Sequence, residues 1–275
     1  MSRRDVSLSS RGAIRETSMT RHIDLEGVDN FRDFGGYETA CGRGLKRGVL
    51  YRSANYARAT DADLERLKAL GVSVIVDLRR SDEKIRDPSR RWADFAAEVI
   101  ENDMGGDAAD WAHSFVNSDI TTERVREGMR AFYRRAPTEP RHVDLYRRYF
   151  RALANAPGAV IVHCTAGKDR TGLACALTHH IGGVGRDDMI ADYLLTNDEE
   201  RLARRVAAIG GRLSSHLGRT INEDALRAAL SVDEEYLDAA FAEMTSAYGG
   251  LDGYLEQVLG VDAPLREKIA ERILA

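Results

Sequence analysis

Two runs of hydrophobic residues stand out along the chain because they are β-branched and almost free of polar positions. They cover residues 72–78 and residues 159–163. Strands buried on both faces of a parallel sheet are continuously apolar in this way. A shorter apolar run over residues 49–53 predicts a third strand, which leaves a turn-rich segment containing Gly35-Gly36.

Helical spacing of apolar residues predicts most of the remaining structure. Thr60 is a suitable N-cap for a stripe of leucines that Gly71 closes, and residues 171–181 are apolar at helical spacing up to Gly182-Gly183. Residues 108–154 show an irregular helical pattern, and residues 186–275 are helical throughout. This order predicts an α/β fold: a small central parallel sheet flanked by helices, with a helical C-terminal block.

Composition favours a single domain after a short arm. The chain has 275 residues, 43% hydrophobic, and five prolines, without a Ser/Gly/Pro-rich stretch in its middle. We expect one domain over residues 22–275. Residues 1–21 are rich in Ser, Arg and Thr, which predicts a flexible arm, with a transit peptide as the alternative.

Charge and cysteine content exclude several classes of protein. A net charge of −4 argues against a general nucleic-acid binder, and three widely spaced cysteines do not form a disulfide framework. The sequence contains no apolar run of the roughly 20 residues that a membrane span needs. We therefore expect a cytoplasmic protein, with export without a signal left open. The histidines, including His179-His180, lack metal-ligand spacing, and we expect no metal or organic cofactor.

The segment from His163 to Gly172 carries the candidate chemistry because it joins a strand to a helix. Such a turn directs several backbone N–H groups and the positive end of the helix dipole into one concavity, which binds a tetrahedral oxyanion. Cys164 lies at the start of the loop, where the same groups favour its thiolate form. Arg170 closes the loop, and its planar guanidinium can grip two phosphate oxygens. The spacing predicts a cysteine nucleophile and an arginine clamp.

The other residues of the loop have supporting roles. The substrate-binding set is expected to contain, besides Arg170, the residues Thr165, Ala166, Gly167, Lys168, Asp169 and Thr171. Thr171 can donate a hydrogen bond to the thiolate or simply open the helix. His163 can orient the loop through a ring nitrogen or be an ordinary buried histidine. Cys175, in the next helix, is interpreted as a small buried apolar residue.

The loop pattern His-Cys-x5-Arg-Thr-Gly resembles the signature of protein tyrosine phosphatases. In the form Cys-x-Ala-Gly-Lys-Asp-Arg-Thr-Gly it is similar to an atypical bacterial branch of that family. The flanking motifs that resemble this branch are, in chain order, Asn30-Phe31-Arg32-Asp33, Tyr51-Arg52-Ser53, Asp77-Leu78-Arg79 with Glu83, residues 191–197, Glu235-Tyr236-Leu237 and residues 248–255.

The resemblance implies hydrolysis of phosphotyrosine, often with phosphoserine, phosphothreonine and phosphoinositides, through a cysteinyl-phosphate. The partner is then a phosphorylated protein or a phosphoinositide. Lys168 gives the loop a Gly-Lys-x-Arg arrangement similar to that of lipid phosphatases, so we expect it to contact substrate; a solvated lysine on the loop rim is the alternative. Residues 199–230 are expected to form either a lid over the site or a solvated, arginine-rich helix surface.

The general acid is not marked by the Trp-Pro-Asp motif that this family usually uses. Asp77 is the first choice, because it ends a strand expected to lie parallel to the Cys164 strand, and α/β proteins place their sites at that sheet edge. Asp169 is the second choice, although it could instead brace the loop against Arg79 or another arginine. Asp103 is a third. Two other functions stay open: a non-catalytic phosphate-binding module, and a sulfur-transfer or arsenate-handling enzyme.

Overall fold

The computed structural model describes residues 21–105 and 120–275. Within them a five-stranded sheet has the order β1-β2-β5-β3-β4. Its strands are β1 (Arg32–Asp33), β2 (Leu50–Ser53), β3 (Val72–Asp77), β4 (Glu98–Ile100) and β5 (Ala159–His163). The predicted parallel sheet is confirmed for β2 to β5, whereas β1 pairs antiparallel with β2 at one edge. Apart from Arg21, the expected N-terminal arm lies outside the described residues.

Helices account for most of the other described residues. In chain order they are α1 (Asp61–Ala69), α2 (Ser81–Arg86), α3 (Thr122–Arg135), α4 (Pro140–Asn155), α5 (Asp169–Gly182), α6 (Arg186–Leu194), α7 (Glu199–Leu217), α8 (Glu223–Leu230), α9 (Glu234–Tyr248), α10 (Leu251–Gln257) and α11 (Ala263–Ile273). A 3-10 turn, Leu195–Asn197, joins α6 to α7. The helical C-terminal block is thereby confirmed.

Side chains along the central strands alternate between the two faces of the sheet, which explains why these segments of the sequence are apolar at nearly every position. In β5, Val160 and Val162 pack with the core of α4 and α5, while Ala159 and Ile161 pack on the opposite face with α1. Successive strand residues point to opposite faces, so a sheet covered on both sides needs apolar residues throughout. Helix α1 begins at the predicted cap, where Thr60 and Asp63 form a capping box.

The topology brings the ends of the two central strands together. Strands β3 and β5 are parallel neighbours, and Asp77 lies directly opposite His163 in the register. The loops that follow both strands therefore open at the same edge of the sheet, as the sequence predicts. Within residues 21–105 and 120–275, none of the helices combines the length and apolar character that a membrane span requires.

Candidate active site

The loop after β5 depends on the glycine at position 167. Gly167 has a φ of +63°, and a Cβ atom there would lie 2.3 Å from the carbonyl oxygen of Ser53. Only glycine tolerates both the left-handed conformation and so close an approach. Helix α5 then begins at Asp169, directly after the loop.

Side chains from distant elements hold the loop carbonyls outward. The Asn30 amide donates to the carbonyl oxygens of Gly167 at 2.8 Å and Ala166 at 3.3 Å. Arg52 donates to Gly167 O at 3.0 Å, and Asn55 donates to Thr165 O at 3.1 Å. In a trans peptide the N–H points opposite to the C=O. The amides of these peptide units are therefore turned towards the concave side of the loop, as an oxyanion cradle requires.

A buried carboxylate fixes the two arginines behind the loop. Asp192 on α6 accepts from Arg52 at 2.9 Å and from Arg32 at 3.4 Å, and Arg32 also donates to the side-chain oxygen of Asn30 at 2.5 Å. Burial raises the pKa of Asp192, but the charges of Arg32 and Arg52 outweigh burial and lower it to about 2. Asp192 is thus ionised at neutral pH. Its role was not predicted, although these residues belong to the flanking motifs.

Arg170 lies at the end of the loop, and its guanidinium forms two hydrogen bonds to one carboxylate. Nη1 and Nη2 donate to the two carboxylate oxygens of Glu83 at 2.6 and 2.8 Å, and Nη1 also donates to Leu78 O at 3.1 Å. Glu83 further accepts from the Thr165 hydroxyl at 2.5 Å. Burial opposes ionisation of Glu83, but Arg170 outweighs it and holds the pKa of that carboxyl well below its usual range. Beyond its place in the flanking motif, no role is predicted for Glu83 from the sequence.

Cys164 is buried beside residues that could serve it. It is 3% exposed. Thr171 Oγ1 is buried and has no hydrogen-bond partner among the residues that the structure describes, so its proton is available to a thiolate. His163 Nδ1 lies 3.3 Å from Cys164 O, and its ring packs edge-on against Tyr56. Burial raises the pKa of the Cys175 thiol to about 12.

The geometry argues against Asp77 as general acid, even though it lies at the predicted edge. Arg79 holds both of its carboxylate oxygens, with contacts at 2.6, 2.9 and 3.2 Å. Burial raises the pKa of Asp77, but His163 and Arg79 outweigh it and lower it to about 2. Because burial lowers the pKa of His163 to about 4, the permanent charge of Arg79 is what keeps Asp77 ionised. The predicted contact between Arg79 and Asp169 is also absent among the described residues.

Asp169 is the carboxylate of the loop itself, and its side chain is 22% exposed. The Tyr133 hydroxyl donates to Oδ1 at 3.1 Å, and Lys168 Nζ lies 3.5 Å from Oδ2. Asp103, the third choice, is exposed and bound by Ser81 at 3.1 Å and Lys84 at 3.0 Å. Asp169 thus combines proximity to Arg170 with a carboxyl group that is not enclosed by a guanidinium.

Lys168 occupies neither of the two positions predicted for it, which were contact with substrate and the solvated rim of the loop. Its side chain is buried, and Nζ donates to the carbonyl oxygens of Ala229 at 2.6 Å and Ser231 at 3.1 Å. It is therefore neither a solvated lysine on the rim nor free to contact a substrate in this conformation. Burial lowers the pKa of Lys168, and Asp169 partly compensates. The contact ties the loop to the end of α8.

Across the part of the chain that the structure describes, His, Cys, Asp and Glu side chains do not form a group of three or more that could hold a metal ion. The chemistry described above is that of an anion cradle with a cysteine at its base.

Comparison with known proteins decides the family. The sequence model described as the tyrosine phosphatase family matches residues 23–275. The chain belongs to that family. It is 33% identical over 254 residues to a Cupriavidus necator protein that is named as a tyrosine-protein phosphatase, covering 88% of this chain and 86% of that one. It is 32% identical over 258 residues to the triple specificity protein phosphatase PtpB of Mycobacterium tuberculosis, covering 84% and 92%.

A third relative agrees with the other two. The chain is 28% identical over 214 residues to a tyrosine-protein phosphatase of Nostoc commune, covering 75% of this chain and 68% of that one. Tyrosine phosphatases are hydrolases of phosphorylated substrates, so the family assignment confirms the predicted enzyme class. It does not support the readings as a binding module or as a sulfur-transfer enzyme.

Proposed function

We propose that the protein hydrolyses phosphate monoesters through a cysteinyl-phosphate, with Cys164 as nucleophile, Arg170 as clamp and Asp169 as general acid. The observation that carries this proposal is the fork between Arg170 and Glu83 beside a loop whose carbonyls are held outward. A guanidinium aligned in this way can bind two oxygens of a phosphoryl group while the loop amides bind the third.

The first step transfers the phosphoryl group to sulfur. The Cys164 thiolate attacks phosphorus, the bond between phosphorus and the ester oxygen breaks, and Asp169 gives its proton to that oxygen. In the second step water attacks phosphorus, the S–P bond breaks and Asp169 takes a proton from the water. The thiolate is regenerated and inorganic phosphate leaves. Thr171 supports both steps by donating a hydrogen bond to the sulfur when it carries charge.

Asp169 is preferred to Asp77 because an acid must exchange a proton at neutral pH. Asp77 is enclosed by Arg79 and its pKa is lowered to about 2, so its protonated form is scarce. Asp169 has one oxygen in a hydrogen bond from a neutral phenol and the other at 3.5 Å from Lys168.

The range of substrates is the second part of the proposal. One relative is named as a triple specificity phosphatase, which supports turnover of phosphoserine and phosphothreonine besides phosphotyrosine. Phosphoinositides belong to the same proposal through the Gly-Lys-x-Arg loop. Lys168 Nζ is bound to two carbonyl oxygens. Unless α8 moves, its charge therefore acts on a lipid substrate through the loop and without direct contact.

A substrate panel tests the proposal. Peptides carrying phosphotyrosine, phosphoserine or phosphothreonine, and short-chain phosphoinositides, are assayed with wild type, Cys164→Ser and Arg170→Lys. Cys175→Ala is the matched control, because Cys175 is equally buried but lies inside α5. We expect Cys164→Ser to abolish turnover of every substrate and Cys175→Ala to retain it.

Trapping of the intermediate adds a second criterion. Rapid acid quench of wild type with labelled substrate should give a stoichiometric phosphoenzyme that Cys164→Ser does not form. Turnover by Cys164→Ser at the wild-type rate, or a phosphoenzyme linked to another residue, would contradict the proposed nucleophile.

A further inference from the structure

Three side chains from three helices form a chain of hydrogen bonds that ends on the proposed acid. Tyr133 on α3 donates its hydroxyl proton to Asp169 Oδ1 at 3.1 Å, and the hydroxyl oxygens of Tyr133 and Tyr193 lie 2.6 Å apart. Both rings are fully buried. Tyr133 is further fixed by stacking on Tyr236, with ring centroids 5.6 Å apart. The hydroxyl of Tyr133 therefore occupies one defined position.

The chain has one direction. A tyrosine has a single hydroxyl proton, and that of Tyr133 is used on Asp169, so Tyr193 must donate to Tyr133. Burial, with the charge of Asp169 adding to it, raises the pKa of both phenols well above the usual value. Both tyrosines consequently stay protonated at every pH at which the protein works.

Glycine at position 172 makes this arrangement possible. A Cβ atom at Gly172 would lie 2.7 Å from a ring carbon of Tyr193. The absence of a side chain on the first turn of α5 lets the Tyr193 ring approach the helix that carries Asp169. The glycine of the loop signature thus has a packing role towards the tyrosine pair.

The donor chain decides which oxygen of Asp169 carries the acid proton. As long as Tyr133 donates to Oδ1, a proton on the carboxyl group resides on Oδ2, the oxygen that receives no hydroxyl proton. The charged or titratable groups that face this carboxyl are Lys168 and Arg170 from the loop, Tyr133 and Tyr193, and Tyr236 from α9. Lys168 Nζ, at 3.5 Å, is too distant for a strong hydrogen bond to Oδ2.

We infer that Tyr133, backed by Tyr193, is a positioning residue for the general acid: it fixes Asp169 and reserves Oδ2 for proton transfer to the leaving group. This inference rests on the proposed role of Asp169. Removal of the Tyr133 hydroxyl should leave the carboxyl group of Asp169 free to rotate out of its position.

The test measures kcat/KM, which reports formation of the cysteinyl-phosphate, against a series of aryl phosphates. Leaving groups range from an acidic dinitrophenol, which needs no proton, to phenol, which does. General acid catalysis contributes about 10²–10⁴-fold, so Asp169→Asn should lose about 100-fold or more on phenyl phosphate and little on the dinitrophenyl ester. Tyr133→Phe should lose about 10-fold on phenyl phosphate, the value of one hydrogen bond to a charged group, and less than about twofold on the dinitrophenyl ester.

Matched variants separate positioning from packing. Tyr149→Phe removes a hydroxyl of equal burial, bonded to Thr178 at 2.7 Å, and should leave the series unchanged. Tyr193→Phe keeps the Tyr133 bond and should lose less than Tyr133→Phe. In the Asp169→Asn background, Tyr133→Phe should have no additional selective effect. Vanadate inhibition and circular dichroism of each variant establish that the cradle is intact.

The outcomes distinguish the two levels of the argument. If kcat/KM of Asp169→Asn depended on the leaving group as it does in the wild type, the proposed acid would be overturned, and the role of Tyr133 with it. A steeper dependence on the leaving group in Asp169→Asn, combined with a uniform loss or no loss in Tyr133→Phe, would overturn the inference alone.

Discussion

Arg170 and Glu83 face each other as two planar groups, joined by two hydrogen bonds of 2.6 and 2.8 Å. The pair connects α2, which follows β3, to the loop that follows β5. Both terminal nitrogens of the guanidinium are directed by the carboxylate. The clamp is therefore oriented before a substrate arrives, and such preorganisation lowers the cost of binding the phosphoryl group.

Glu83→Gln should weaken the clamp while leaving the fold intact. The amide can accept one of the two hydrogen bonds, and hydrogen bonds to charged groups contribute about 1.5–3 kcal/mol, or roughly 10–100-fold. We expect kcat/KM and vanadate affinity to fall by about that factor. Steady-state kinetics with vanadate inhibition measure both. Asp82→Asn, on the same helix but exposed and paired with Arg80, is the control. Tighter vanadate binding by Glu83→Gln would show that Glu83 mainly repels the anion.

Acid should destabilise the protein through Asp192. Its pKa is lowered from an ordinary 3.8 to about 2 in the folded state. The resulting stabilisation is complete above about pH 4 and is lost as pH falls from about 4 to 2, a contribution of roughly 2 kcal/mol. Asp192→Asn should lower the free energy of unfolding at pH 7 by about 3 kcal/mol, because it leaves Arg32 and Arg52 buried without a counter-charge.

Urea titrations at pH 7 and pH 3 measure this effect. The difference in free energy of unfolding between wild type and Asp192→Asn should be smaller at pH 3, where Asp192 is mostly protonated in the unfolded chain but still ionised in the folded protein. Asp238→Asn removes an exposed carboxylate paired with Arg186 and should change little at either pH. If the free energies of unfolding of wild type and Asp192→Asn differed by the same amount at both pH values, the stabilising role of the ionised Asp192 would be contradicted.

Strands β3 and β5, which frame the site, could be predicted because each is long enough to show a pattern of hydrophobic residues. Strands β3 and β5 were located as buried parallel strands, and Asp77 lies opposite His163 as their parallel pairing requires. Strands β1 and β4 have two and three residues, too few for an alternation to be visible. Their pairing depends on neighbours that the local sequence does not reveal.

The environment of single charged residues could not be predicted in the same way. Nothing in the local pattern shows that Arg79, two residues after Asp77, folds back onto it and keeps it ionised. Likewise, the carbonyl oxygens that bind Lys168 come from Ala229 and Ser231, about sixty positions later in the chain. Topology follows from periodicity, whereas the state of a carboxylate or an ammonium depends on contacts across the sequence.

Lys168→Met tests whether the loop is held by α8. We expect removal of the ammonium to free the 229–231 carbonyls, so amide hydrogen exchange at residues 226–232 should accelerate. Turnover of phosphotyrosine and of phosphoinositides should fall together, because both depend on the same loop geometry. Lys68→Met, at an exposed position of α1, is the control. A selective loss on phosphoinositides with unchanged exchange would instead support direct contact between Lys168 and the lipid head group.

Gly167→Ala should displace the cradle without removing any reactive group. The left-handed conformation costs a non-glycine residue about 1–3 kcal/mol, and the new Cβ would lie 2.3 Å from Ser53 O unless the loop moves. A displacement of about 1 Å at a reacting centre can cost about 100-fold, so we expect a loss of that order in kcat/KM together with weaker vanadate inhibition.

Gly211→Ala is the matched control for Gly167→Ala, because Gly211 lies inside α7 with open space around the position of a Cβ. Alanine in a helix interior is favoured over glycine by about 0.5–1 kcal/mol, so this variant should be slightly more stable and fully active. If Gly167→Ala bound vanadate as tightly as Gly211→Ala, the inward amides would not depend on this backbone geometry, and the cradle would have to be formed by side chains instead.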